Sequence, residues 1–118
     1  GYSAAVLSLL CRELVTIERH VALADQAKAL LRELGRDNVE VRAGDGTLGA
    51  PDRAPFDGIS VTATAEGAPP QALLEQLSPK GTLVCPIRRP GGEHLVRVRG
   101  GVEETLAAVR FVPLVSDE

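Results

Sequence analysis

The chain has 118 residues, of which 44% are hydrophobic and 25% are charged, a balance typical of one globular domain and unlike that of a disordered segment. Its formal net charge of −3 does not provide the positive field that generic binding to a nucleic-acid backbone requires. No apolar run approaches the ~20 residues that cross a bilayer. We therefore expect neither nucleic-acid binding nor a membrane-spanning segment.

The two cysteines, Cys11 and Cys85, stand in apolar surroundings and lack the spacing of zinc or redox motifs. Both are predicted to be buried thiols, because a free cysteine behaves as a small hydrophobic residue. The sequence shows neither the disulfide framework nor the signal peptide that would argue for secretion, so we expect a cytoplasmic protein. The first residue is Gly1 rather than Met. We interpret this as a processed product or a piece of a longer chain.

The first half of the chain alternates between helical and extended patterns. Four β-branched or apolar residues from Leu14 to Ile17, bounded by charges, are typical of a buried parallel strand. The clearest helix is predicted upstream of Gly35, a common stop, because an apolar stripe recurs at steps of three and four: Val21, Ala24, Ala27, Leu31 and Leu34. In chain order we predict a helix, a strand, a helix, a strand and a loop over residues 3–12, 14–17, 20–34, 39–43 and 46–56.

The second half continues this alternation and then ends in strands. Pro69 and Pro70 suit a first helical turn, and the helix they open is predicted to include Leu77. Strands are predicted over residues 57–63, 81–87, 94–99 and 105–115, the last two as an antiparallel pair around a Gly100–Gly101 turn. We therefore predict a single α/β domain over residues 1–118 whose sheet is mostly parallel with an antiparallel edge.

Acidic residues follow two of the predicted parallel strands. Glu18 comes directly after the first strand, and Asp45 follows the second between two glycines. In doubly wound sheets, ligands bind beyond the carboxyl ends of the strands, and an acid about 20 residues after a glycine-rich turn accepts hydrogen bonds from ribose. Glu18 lies seventeen residues after Gly1. A solvated charge at Glu18 and an ordinary Asx turn at Asp45 are the alternatives to a nucleoside site.

The order of six segments resembles the protein-L-isoaspartate (D-aspartate) O-methyltransferase family over essentially the whole chain: GYSAAVLS, LVTIER, DNVEVRAGDGTLG, APFDGISVTATA, PPQALLEQLSPKGTLVCPI and VRFVPLV. The resemblance implies a Rossmann-like class I methyltransferase domain that binds S-adenosyl-L-methionine. It implies that Gly1 and Tyr2 contact the methionine end of this cofactor and that Glu18, with Arg19 beside it, contacts the ribose. It also implies that Asp45 and Gly46, followed by Thr47, contact the adenine. Finally, it implies that Val112 contacts the backbone of the peptide substrate. It assigns no catalytic side chain and no metal.

The implied reaction is methyl transfer to the carboxylate of an L-isoaspartyl residue in a damaged protein or peptide. The family also implies a strand and a glycine-rich turn before Gly1, with a Ser/Thr-containing substrate loop further upstream. That strand would lie in the sheet between the strands at 14–17 and 57–63. We therefore expect a C-terminal portion that is inactive alone. The alternatives are an aspartate methyltransferase for one dedicated peptide and a non-catalytic nucleoside-binding or structural fragment; an NAD dehydrogenase would need a second domain.

Overall fold

The computed structural model describes residues 8, 9 and 11–108. The chain divides into two compact units, Gly1–Gly46 and Thr47–Glu118. The described elements of the first unit are β1 (Leu14–Glu18), α1 (Val21–Glu33) and β2 (Val39–Ala43). Those of the second are β3 (Phe56–Ser60), β4 (Ala65–Glu66), α2 (Gln71–Glu75), β5 (Leu77–Arg89), β6 (Gly92–Arg99) and β7 (Val102–Ala108). Two short 3₁₀ helices span Gly46–Leu48 and Pro51–Arg53.

The first unit is built on a parallel pair of strands. β1 and β2 run in register from Leu14 opposite Val39 to Glu18 opposite Ala43. Helix α1 connects them, as expected for parallel strands, which require a crossover. Its inward side chains, spaced at three and four residues, form the small core together with a valine of β2: Ala24, Ala27, Leu31 and Val41. The predicted stripe on α1 is confirmed in its centre, whereas Val21 and Leu34 at its ends are exposed.

Helix α1 ends as its sequence predicts. Leu34 is the C-cap residue, and Gly35 after it has a φ of +68°, a conformation that glycine adopts without steric cost. The Gly35 amide donates to the Arg32 carbonyl and the Arg36 amide to the Leu31 carbonyl, which together form a Schellman motif. This turn directs the chain back towards β2.

The second unit contains a mixed sheet in the strand order β3-β5-β6-β7, with β4 also paired to β5. β3 and β4 run parallel to β5, whereas β5 with β6 and β6 with β7 are antiparallel. Gly100 and Gly101 form the turn between the last two strands, with φ values of +59° and +78°. Positive φ at both central residues matches the right-handed twist of a hairpin. The predicted α/β class, with its parallel strands and antiparallel edge, is confirmed.

Alternate residues of β5 form the centre of the larger core. Leu83, Cys85 and Ile87 are each 0% exposed, and Val96 of β6, opposite Cys85, is equally buried. Leu73 of α2 and Ala65 of β4 complete this cluster. The period of two is the signature of a strand that turns one face inward. Burial raises the pKa of the Cys85 thiol to about 11.

The outer face of β6 is linked to its neighbouring strands by an ion pair and a hydrogen bond. Arg97 pairs with Glu104 across the hairpin at 2.6 Å, and Arg99 donates to the Thr82 hydroxyl at 2.9 Å. Arg88 pairs with Glu93, and this ion pair raises the pKa of Arg88. Exposed ion pairs of this kind contribute little to stability, because solvent screens them.

Some sequence predictions about local structure are wrong. Leu77 does not continue helix α2 but begins β5, because its main chain pairs with Phe56 and its side chain packs on the core. β5 therefore starts before the predicted residue 81, and a register shift between Phe56 and Gly58 accommodates the extra residues. Cys11 is exposed rather than buried. β4 was not predicted, and the predicted loop contains two 3₁₀ turns.

The predicted helix over residues 3–12 lies mostly outside the described residues, and its last two residues are not helical. β7 begins at Val102 rather than at residue 105, and the predicted continuation of this strand beyond Ala108 also lies outside the described part. The single-domain organisation and the strand expected between those at 14–17 and 57–63 stay predictions.

Candidate functional site

Glu18 and Asp45 lie at the same edge of the first unit. Glu18 is the last residue of β1 and pairs with Ala43, the last residue of β2. One residue further, the Gly44 amide donates to the Glu18 carbonyl oxygen at 2.9 Å. Asp45 follows directly. The main chain therefore brings these two acidic residues to the carboxyl ends of adjacent parallel strands, where α/β sheets bind ligands.

The Glu18 carboxylate is half-buried and already oriented. Its Oε1 accepts a hydrogen bond from the main-chain amide of His20 at 3.2 Å. His20 is the N-cap residue of α1, and its own side chain makes no capping bond. A carboxylate has roughly four acceptor positions, and this bond uses one of them. Glu18 thus has the acceptor chemistry that a pair of ribose hydroxyls needs.

Asp45 is 9% exposed, and the glycines on both sides of it leave the main chain accessible. A Cβ atom built on Gly44 or Gly46 would meet no atom within 4 Å, leaving aside the neighbouring residues. A side chain at either position would occupy the open space beside these two glycines. The absence of side chains permits a flat ring to approach the backbone closely, so the local geometry fits a nucleoside base.

Thr47 is half-buried and begins the second unit, in the short 3₁₀ helix that continues from Gly46. The segment after it is held by Gln76, a buried residue that the sequence analysis did not select. Gln76 donates to the Leu48 carbonyl and accepts from the Ala50 amide, both at 2.9 Å. A lone glutamine at a helix end has no distinguishing sequence pattern, so only the contacts reveal it.

Of the remaining predicted site residues, the described structure includes Arg19. Arg19 is exposed next to Glu18. The other three, predicted to contact the methionine end or the peptide, lie outside the described residues: Gly1, Tyr2 and Val112. The structure therefore brings together Glu18, Asp45 and Gly46 within the first unit.

Two further side chains of the first unit anchor the chain that leads into β1. Arg36 donates to the Ser8 hydroxyl at 2.9 Å and to the Ser8 carbonyl at 3.0 Å. Asn38 donates to the carbonyls of Ser8 and Cys11 at 2.8 and 3.0 Å. Ser8 itself is 2% exposed. These bonds fix the segment upstream of β1 against the start of β2.

Within residues 8, 9 and 11–108, no group of three or more His, Cys, Asp and Glu side chains is arranged to hold a metal ion. No helix in the same ranges has both the length and the hydropathy needed to cross a membrane.

The acidic residues at the ends of these adjacent parallel strands lie where α/β domains bind nucleotides, in which an acid accepts hydrogen bonds from the ribose. The family model for protein-L-isoaspartate (D-aspartate) O-methyltransferase matches residues 1–118. The chain belongs to that family, which confirms the resemblance noted in the sequence.

Curated relatives agree with this assignment. A protein-L-isoaspartate O-methyltransferase of Paracoccus denitrificans is 50% identical over 120 residues, which cover 98% of this chain and 55% of the relative. One of Methanoregula boonei is 50% identical over 119 residues, covering 98% of this chain and 54% of the relative. The chain thus spans about half the length of the curated relatives it matches.

Solved structures show the same fold. A protein-L-isoaspartate O-methyltransferase superposes with a TM-score of 0.84 and 28% identity, covering 99% of this chain and 39% of that one. A putative protein-L-isoaspartate O-methyltransferase of Plasmodium falciparum, solved in complex with S-adenosyl-L-homocysteine, superposes with a TM-score of 0.76 and 22% identity. That alignment covers 89% of this chain and 53% of the other.

Proposed function

We propose that this chain forms the S-adenosyl-L-methionine-binding part of an O-methyltransferase that methylates the carboxylate of L-isoaspartyl residues in proteins and peptides. The observation that carries the proposal is the placement of Glu18 and Asp45 at adjacent strand ends, joined by the bond from Gly44 to Glu18. Family membership over residues 1–118 supports the same reaction. The Plasmodium falciparum structure, which contains S-adenosyl-L-homocysteine, supports the choice of cofactor.

In this proposal the chain holds the adenosyl group by its polar strand ends. The Glu18 carboxylate accepts hydrogen bonds from the ribose hydroxyls, with Arg19 beside it. Asp45 and Gly46 contact the adenine, and the open space at the glycines on either side of Asp45 admits the ring. The family resemblance adds three further contacts. Gly1 and Tyr2 contact the methionine end, Thr47 contacts the nucleoside, and Val112 contacts the peptide backbone.

The chemistry asks the protein mainly to bind and orient. S-adenosyl-L-methionine supplies a methyl group on a sulfonium that is already a good leaving group. An isoaspartyl carboxylate is ionised at neutral pH, so no side chain has to remove a proton from it. Correct alignment of two bound reactants is worth up to about 7–11 kcal/mol of the barrier. The proposal therefore assigns binding roles to the site residues and a catalytic role to none.

The product explains why such a reaction would serve repair. Methylation gives an ester at the isoaspartyl carboxylate. Without the enzyme, the amide nitrogen of the following residue then attacks the ester carbonyl and releases methanol, which closes a succinimide. Addition of water to the succinimide returns part of the material to normal aspartate. The proposed substrates are accordingly isoaspartyl proteins and peptides.

Calorimetry with S-adenosyl-L-homocysteine tests the nucleoside part of the proposal. We expect saturable binding to the chain, and weaker binding of adenosine, which lacks the amino-acid end. Absence of binding to a folded chain, verified by circular dichroism, would show that the adenosyl site is wrong.

A chimera tests the reaction. The chain replaces the matching segment of the Paracoccus denitrificans relative, with which it shares 50% identity. We expect the chimera to transfer tritiated methyl groups to an isoaspartyl peptide and not to its aspartyl twin, and the isolated chain to show no turnover. Preference for the aspartyl peptide would instead favour the dedicated aspartate methyltransferase, and an inactive but folded chimera would favour a non-catalytic role.

The proposed compartment is the cytoplasm. It is supported by Cys85, a buried thiol that forms no disulfide. Fractionation of source cells with an antibody against the chain tests this, and recovery outside the cytoplasm would contradict it.

A further inference from the structure

Gln76 holds the loop that follows the proposed adenine contact by two hydrogen bonds. Its Nε2 donates to the Leu48 carbonyl and its Oε1 accepts from the Ala50 amide, each at 2.9 Å. The carboxamide thus satisfies a main-chain acceptor and a main-chain donor, as a neighbouring strand would. We name this pair of bonds the Gln76 clamp.

The clamp is itself fixed in place. Gln76 is 7% exposed, and its own carbonyl accepts a hydrogen bond from the Phe56 amide at 2.7 Å. Its amide donates to the Leu73 carbonyl at the end of α2. A buried carboxamide that is held at its main chain and bonded at both ends has little freedom to rearrange.

Gly49 lies between Leu48 and Ala50, and its main chain packs directly against the Gln76 carboxamide. A Cβ atom at Gly49 would lie 2.3 Å from the Gln76 Oε1 and 2.9 Å from its Cδ and Nε2. Gly49 also has a φ of +65°, which side-chain-bearing residues rarely adopt. The loop therefore approaches the glutamine as closely as only glycine permits.

We propose that Gln76 is a positioning residue for nucleoside binding, acting through the loop that carries Thr47. The 3₁₀ helix Gly46–Leu48 runs without interruption into the clamped segment, so fixing Leu48 and Ala50 fixes the end of that turn. Gln76 contributes no contact to the ligand in this proposal. The inference rests on the proposed function, because it names what holds part of the proposed adenosyl site.

The first experiment compares Gln76→Leu with Gln71→Leu, a matched change at the exposed glutamine that begins α2. Loss of the clamp leaves the Ala50 amide and the Leu48 carbonyl without their partner. We expect faster hydrogen exchange at the Ala50 amide and about tenfold weaker binding of S-adenosyl-L-homocysteine. Gln71→Leu should change neither.

A second experiment substitutes Gly49, the residue packed against the Gln76 carboxamide, and does not depend on one variant folding well. Gly49→Ala should displace the Gln76 side chain and weaken binding to a similar degree. Combined with Gln76→Ala, which removes the clashing atoms but not the strain of the positive φ, it should weaken binding by a smaller factor than it does in the parent. Fully multiplicative losses would contradict the proposed shared mechanism.

Kinetics in the chimera separate positioning from general loss of structure. We expect Gln76→Leu to raise the KM for S-adenosyl-L-methionine while leaving kcat and the KM for the isoaspartyl peptide close to those of the parent. Faster exchange at Ala50 with unchanged binding of S-adenosyl-L-homocysteine would overturn the inference. If the unaltered chain fails to bind this ligand, the proposed function falls, whereas exchange at Ala50 still decides whether Gln76 holds the loop.

Discussion

The Gly44 amide donates a 2.9 Å hydrogen bond to the Glu18 carbonyl oxygen, which extends the pairing of β1 and β2 by one residue beyond Ala43. Asp45 is the next residue. Main-chain bonds between β1 and β2 therefore bring the two acidic residues of the candidate site to neighbouring strand ends. Substitutions of these side chains should alter ligand binding without dismantling the strand pair.

Glu18→Gln should weaken binding of S-adenosyl-L-homocysteine by about tenfold. The amide keeps the size of the side chain but replaces charge-assisted hydrogen bonds, worth about 1.5–3 kcal/mol, with neutral ones worth about 0.5–1.5 kcal/mol. Isothermal titration calorimetry measures the change. Glu33→Gln, an exposed substitution at the end of α1, serves as the control and should bind like the parent. Equal affinities for both variants would exclude Glu18 from the ribose contact.

Gly46→Leu should abolish most ligand binding while leaving the fold intact. A Cβ at this position meets no atom within 4 Å, so the larger side chain occupies the space proposed for the adenine. Like other substitutions at open positions, it should change the unfolding free energy by only about 0.5 kcal/mol. Urea unfolding and calorimetry measure the two effects, with Gly58→Leu on the exposed part of β3 as control. Undiminished binding would place the adenine elsewhere.

Gly81→Ala should destabilise the chain by about 1–3 kcal/mol through overpacking. The new Cβ would lie 2.8 Å from both the Phe56 carbonyl oxygen and the Leu77 Cδ1, and the first of these is main chain that has to move. Gly58→Ala is the matched control, because its Cβ would lie 4.0 Å from the Thr82 carbonyl oxygen. The midpoints of urea unfolding of the two variants are compared. Equal midpoints would show that the β3–β5 pairing accommodates the methyl group without a loss of unfolding free energy.

Stability should fall as the pH rises from about 9 to 11 because of Cys85. Burial raises the pKa of this thiol from 9.0 to about 11, and a hydrogen bond from the Ala65 main chain opposes the shift only in part. The unfolded chain therefore loses the proton first, so the contribution is complete below pH 9 and is lost above it, up to about 2–3 kcal/mol.

Urea midpoints measured between pH 8 and 11 test this dependence. Cys85→Ala should flatten the decline, whereas Cys11→Ala should leave it unchanged, because Cys11 is exposed. The same slope in the parent and in Cys85→Ala would assign the decline to other groups.

The two thiols should differ sharply in reactivity at pH 8. Cys11 is exposed and should react at once with a disulfide reagent such as Ellman's reagent, whereas Cys85 is 0% exposed with a raised pKa and should react only on unfolding. Spectrophotometric titration in the absence and presence of urea counts the thiols. Immediate release of two equivalents by the folded chain would contradict the burial of Cys85.

Local sequence patterns determined most of the secondary structure and the family. The spacing of Ala24, Ala27 and Leu31 with the stop at Gly35 defines α1, and the paired glycines at 100 and 101 define the last hairpin. The placement of Glu18 and Asp45 at one edge also follows from sequence, since the carboxyl ends of adjacent parallel strands share an edge. These features depend on residues close together in the chain, where periodicity and glycine conformation are informative.

Only the tertiary structure decided the features that depend on distant partners. Leu77 lies in a strand because Phe56 pairs with it, although its spacing suits a helix, and Cys11 is exposed despite apolar neighbours in sequence. Gln76 holds a loop through two hydrogen bonds to Leu48 and Ala50, which lie 28 and 26 positions away in the chain. No local pattern encodes such contacts, because the free energy that selects them comes from pairing and burial between segments that meet only in the folded chain.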